Sequence, residues 1–109
     1  MTPEKIIQIK IEKMLERKGW FVKRTHGGMF QSGFPDDFAS HPVHGHRWVE
    51  VKLPDLKGSR FTKAQLVEFP KFEAHGSGVW ILVAATEAEY ELLFRKPNWT
   101  AYQAMMKRY

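Results

Sequence analysis

The chain has 109 residues, of which 43% are hydrophobic and 27% charged; it has no cysteine, and a net charge of +5 arises from 17 Lys and Arg against 12 Asp and Glu. That length suits one domain, here 1–109, and that composition is too apolar for wholesale disorder. The lack of cysteine excludes a disulfide framework, a thiolate zinc site and a cysteine nucleophile. No apolar run approaches the ~20 residues of a membrane span. The opening Met1-Thr2-Pro3-Glu4-Lys5 has no signal-peptide stretch, so a cytoplasmic protein is expected, with no membrane partner. The excess of positive charge fits a polyanionic partner as well as simple solubility.

The first element reads as a helix. Thr2 can cap it, Pro3 suits its first position and Gly19 can end it. Ile7, Ile11, Met14 and Leu15 form its core-facing stripe. Glu12 and Glu16 fall off that stripe and are expected in solvent. A strand follows over 20–25, broken at His26-Gly27-Gly28. A second short strand is expected over 34–40, weakened by Pro35. After a histidine-rich turn at 41–46, residues 47–53 (Arg-Trp-Val-Glu-Val-Lys-Leu) give the clearest alternating strand. A second helix is expected over about 62–75, kinked or interrupted by Pro70. The apolar run 79–85 reads as a strand buried on both faces. Thr86-Glu87-Ala88-Glu89 offers a capping box for a third helix to Phe94. A last short helix is expected within 99–109. The order α-β-β-β-α-β-α predicts an α/β domain with a mixed sheet flanked by helices.

Three features carry potential chemistry. Glu50 and Lys52 alternate onto one face of their strand, where a carboxylate can hold a hard cation and an ammonium can neutralise phosphate charge. The competing reading is a solvated charged face. Asp36 and Asp37 follow Gly33-Phe34-Pro35; they fit a turn, yet a strand starting at Pro35 would bring Asp36 towards Glu50, where two acids can bind Mg²⁺ or Mn²⁺. Glu4 projects onto the core stripe of the first helix, as an accessory acid or as a charge favoured by the helix dipole; Gln8, one turn on, is its understudy. Ser32, Ser40, Ser59 and Ser77 sit in no nucleophile motif.

Together, Gly33-x-Pro35-Asp36, Glu50-x-Lys52 and Gln65 resemble the PD-(D/E)xK nuclease superfamily, and within it the VRR-NUC family in its stand-alone form. The resemblance covers about residues 2–86, leaving 87–109 as a helical tail. It implies a restriction-endonuclease-like core and a metal-dependent DNA endonuclease, Holliday-junction-resolvase-like, acting as a homodimer on branched DNA with Mg²⁺ or Mn²⁺. Compact members are common in bacteria and phages. It further implies that Asp36, Glu50 and the backbone carbonyl of Val51 are metal ligands. Lys52 would be the catalytic lysine, Glu4 the accessory acid and Gln65 an orienting residue. Asp37 stands where the family is usually apolar, which leaves open which of the two acids is the ligand.

Arg24, His26, Lys57, Arg60 and Lys63 are candidate contacts to a DNA backbone, or else ordinary loop and surface residues. His41, His44 and His46 could hold zinc but lie in a turn more typical of solvent exposure. Trp20, Trp48 and Trp80 are expected in the core. The aromatic tail from Trp99 to Tyr109 is expected either to dock on its own domain or to meet a second subunit. The functional alternative to a nuclease is a non-catalytic nucleic-acid-binding module on the same fold.

Overall fold

The computed structural model describes residues 1–25, 33–54 and 60–106. Helix α1 (Pro3–Arg17) starts where Thr2 caps it, the threonine side chain accepting from the Lys5 N–H. It ends as Gly19 takes φ +93° and the Trp20 N–H reaches back to the Leu15 carbonyl. That left-handed closure favours glycine. Strands β1 (Phe21–Arg24), β2 (Asp37–His41) and β3 (Gly45–Val51) follow as an antiparallel meander. Helix α2 (Lys63–Ala74) then crosses over so that β4 (Val79–Leu82) lies parallel to β3. The sheet order is β1-β2-β3-β4, a mixed sheet.

Alternation along the strands sorts side chains onto two faces. On one face Ala39, Val49, Val51 and Leu82 pack with Ile11, Leu15 and Trp20, so the α1 stripe meets the sheet as its spacing predicts. On the other, Val79 and Ile81 pack with Phe61, just before α2, with Phe69 of α2 and with Trp99 of helix α4 (Trp99–Met106). Trp48 and Trp80 pack at the margins of these clusters.

Several expectations need correction. Strand β2 begins at Asp37, not near Pro35, so Asp36 lies just before it. Helix α2 runs through Pro70 without interruption. Phe69 is fully buried against the sheet, and such packing outweighs one lost backbone hydrogen bond. The third helix divides into α3 (Glu87–Glu91) and a 3-10 turn over Leu92–Phe94. Thr86 caps α3, but the Glu89 carboxylate accepts the Val83 N–H.

The tail begins as part of the chain's own core, with Trp99 2% exposed among Phe61 and Phe69. Asn98 secures it: its side-chain oxygen accepts the Ile81 N–H at 2.6 Å and its amide donates to the Ile81 carbonyl at 3.0 Å. Those bonds pair part of the outer edge of β4, which would otherwise be open to another strand. The side chains of Met105 and Met106, and Tyr109, lie outside the described residues.

The histidine turn is structural in this fold. His41 Nδ1 accepts from the Val43 and His44 N–H groups, and the His41 and His44 rings lie tilted against each other, 4.4 Å between centroids, beside Trp20. His46 pairs with Ser40 and faces the other side of the sheet, against Phe38. The three rings therefore do not converge on one ion. No helix among the described residues is long and apolar enough to cross a membrane.

Candidate metal and catalytic site

The end of β3 next to the start of β2 carries the acidic residues. Glu50 is 1% exposed on the α2 side of the sheet. Asp36 precedes β2 in the position across from it, and the two are linked through the backbone. The Asp36 N–H donates to Glu50 Oε1 at 3.1 Å, while Asp36 Oδ2 accepts the Val51 N–H at 2.8 Å. Glu4 enters from the first turn of α1. One carboxylate oxygen each from Glu4, Asp36 and Glu50 lie within 4.8 Å of one another. This is a hard-oxygen set of the kind that suits Mg²⁺ or Mn²⁺.

Lys52 lies just past β3, its N–H held by the Leu82 carbonyl. Its ammonium is buried and fully directed: 3.1 Å from Glu50 Oε2, 3.0 Å from the Arg60 carbonyl and 3.3 Å from Gln65 Oε1. The Phe61 ring caps it at 4.9 Å. Gln65 serves two structures at once. As the third residue of α2 it closes a capping box with Thr62, accepting the Thr62 N–H at 3.0 Å. That bond fixes which end of the amide is oxygen, so its NH₂ points to Glu50 Oε2 at 2.9 Å.

The two neighbouring acids separate onto opposite faces. Asp36 joins Glu50, whereas Asp37 is fully buried beneath α1, where Gln8 donates to its Oδ1 at 3.3 Å. Gln8 therefore serves Asp37. Glu12, expected in solvent, is 9% exposed and forms a two-pronged ion pair with Arg24. Arg24, a candidate DNA contact, thus has its Nε and one terminal nitrogen committed inward. Burial pushes the Asp37 carboxyl up to about 9, reinforced by the Glu12 carboxylate beside it. The second Asp37 oxygen, Oδ2, is buried without a partner among the described residues, which favours the protonated form. Burial opposes the charge on Glu12 as well, but Arg24 holds it below the usual carboxylate range.

Burial also raises Asp36, and it pushes Glu50 up to about 8, with the Asp36 charge adding to the effect. The folded chain therefore holds protons that the unfolded chain releases near the ordinary values of 3.8 and 4.5. Stability must then fall as pH rises from that range towards about 8 for Glu50 and about 9 for Asp37. The slope is about 1.4 kcal/mol per pH unit for each proton retained. Urea midpoints measured in EDTA from pH 5 to 9.5 should show the decline. A cation bound at Glu50 would remove the Glu50 share of the decline and leave that of Asp37, so saturating Mn²⁺ should make the slope shallower without abolishing it. A metal-free midpoint that rises with pH would contradict this.

Arg60 and Lys63 are exposed beside the site, before and at the start of α2. His26 and Lys57 lie outside the described residues. Sequence reasoning did not anticipate the Gln8–Asp37–Glu12–Arg24 layer, which depends on α1 lying across β1 and β2. The Thr62-x-x-Gln65 spacing was a visible sign that Gln65 would be held in place.

No protein-family model matches the chain, and no curated protein matches it. A solved structure described as a VRR_NUC domain does, with a TM-score of 0.67 and 24% identity over 87% of this chain and 98% of that one. This chain has the VRR_NUC fold. The VRR_NUC likeness agrees with the mixed four-stranded sheet and flanking helices found here.

Proposed function

We propose that the chain is a VRR-NUC nuclease, a metal-dependent DNA endonuclease built as one domain over 1–109. The observation that carries this reading is the convergence of Glu4, Asp36 and Glu50 within 4.8 Å, with the Lys52 ammonium 3.1 Å from Glu50. A solvated charged face has no reason to bury Glu50 and Lys52. The donor set fits a divalent cation: all three ligands are carboxylates, and a dication would offset the burial and the neighbouring Asp36 charge that together keep Glu50 protonated. Asp36, Glu50 and Glu4 would hold it, with the Val51 carbonyl as a further ligand by family resemblance.

When bound, Mg²⁺ or Mn²⁺ supplies a more acidic water and polarises the phosphate. The chain's own residues do the rest. Lys52 places a desolvated positive charge where negative charge develops on the phosphate. Gln65 keeps a Glu50 oxygen directed and Lys52 in register. Arg60 and Lys63, with Lys57, steer the DNA backbone towards the cluster. Branched DNA, such as a Holliday junction, is the proposed substrate. A homodimer is the proposed active form, since two strands of a junction require two sites and a two-fold dimer supplies them.

A cleavage panel of matched junction, flap and duplex DNAs, with Mn²⁺ and with EDTA, tests this reading. Mn²⁺-dependent nicking that prefers the junction is expected, together with a dimer in sedimentation equilibrium. DNA binding without cleavage under any metal condition would instead identify a nucleic-acid-binding module on the same fold.

A further inference from the structure

We propose that Thr25 is a positioning residue that holds the Asp36 carboxylate in the metal site by clamping the backbone on both sides of it. The inference rests on the reading of Asp36 and Glu50 as metal ligands. Thr25 lies one residue beyond β1, in the position facing Asp36 as the Arg24–Asp37 pairing continues. Its N–H donates to the Asp36 carbonyl at 2.9 Å. Its hydroxyl lies 2.6 Å from the Pro35 carbonyl and 3.1 Å from that of Asp36.

The Pro35 carbonyl and the Asp36 N–H belong to one rigid peptide plane. Its oxygen is held by the Thr25 hydroxyl and its N–H by Glu50 Oε1 at 3.1 Å. The next plane is held by the Thr25 N–H. Rotation of the first plane changes φ of Asp36, and with it the direction in which the carboxylate leaves the backbone. Asp36 lies outside the regular ladder, since β2 begins only at Asp37. The hydroxyl therefore substitutes for a ladder donor at the residue that needs the firmest placement. Any residue at position 25 other than proline supplies the N–H, but only Thr or Ser adds the hydroxyl there.

Mn²⁺ titration of the full chain, followed by calorimetry and by the Mn²⁺ paramagnetic resonance signal, tests the assignment. The set is wild type, Thr25→Val, Thr25→Ala and Thr25→Ser, with Glu50→Gln as the ligand-loss reference, and circular dichroism confirms that each is folded. Thr25→Val and Thr25→Ala are expected to bind Mn²⁺ about 10- to 100-fold more weakly, the range for losing a group that orients a ligand. Thr25→Ser is expected to bind close to wild type. Should Thr25→Val fail to fold, the Ala and Ser pair decides the question. A hydroxyl that only satisfies a buried carbonyl would lower the urea midpoint and leave the Mn²⁺ isotherm unmoved, which overturns the proposal. If wild type shows no Mn²⁺ uptake that Glu50→Gln removes, the metal-site reading itself is wrong, and the Thr25 assignment falls with it.

Discussion

Glu50→Gln is expected to slow DNA cleavage by about a thousandfold or more while leaving the fold intact. On the proposed reading Glu50 holds a cation that would contribute several kcal/mol of transition-state stabilisation, and each 1.36 kcal/mol is tenfold in rate, so losing a ligand at the centre of the cluster would cost about a thousandfold. Glu50 is the most buried of the three acids, and its oxygens meet the Asp36 N–H, the Lys52 ammonium and the Gln65 amide. Fold retention follows from its protonation. With the carboxyl pushed up to about 8, the metal-free site already holds a largely neutral side chain near pH 7. A neutral isostere therefore replaces something close to what is there. Cleavage rates in Mn²⁺, a Mn²⁺ isotherm and a melting curve check the three parts separately. A Glu50→Gln protein that cuts at the wild-type rate would remove Glu50 from the mechanism.

Lys52→Met should separate metal binding from catalysis. Cleavage is expected to fall about 100- to 1000-fold, the usual cost of losing one preorganised charge-stabilising donor. Mn²⁺ binding should persist or tighten, because the ammonium 3.1 Å from Glu50 competes with a cation for the same oxygen. Without metal the variant should change stability little near pH 7, since the Glu50 carboxyl beside it is already largely neutral there. Parallel loss of metal binding and cleavage would show that Lys52 serves only to build the site. Wild-type cleavage would show that it is not needed at all.

The local signals of the sequence carried over where one physical preference acted alone. Thr2, Pro3 and Gly19 bounded α1 through capping and backbone freedom, and the Ile11–Leu15 stripe found the sheet. Alternation placed Glu50 and Lys52 on one side of the sheet, and the order of the elements gave its flanked, mixed character. Where packing competed with a local preference, the local reading failed. Pro70 did not stop α2, because Phe69 and its neighbours are buried against β4. Where the sequence left two places open for the aromatic tail, Trp99 takes the chain's own core, because Asn98 binds the open edge of β4 and brings the tail onto the sheet.

Within the site, residue types and order sufficed to nominate Glu4, Asp36, Glu50, Lys52 and Gln65. Only the folded chain separates Asp36 from Asp37, because adjacent residues at a strand end face opposite sides and one-dimensional spacing does not say which side meets Glu50. The same holds for Glu12 and Arg24, read as solvated acid and DNA-facing cation. Their charges meet only once α1 lies across β1, where a buried carboxylate must find a partner. Capping, alternation and composition act between near neighbours in the chain and can be read along it. Burial, ion pairing and shifted protonation act between groups far apart in sequence, and they exist only after the sheet has brought those groups together.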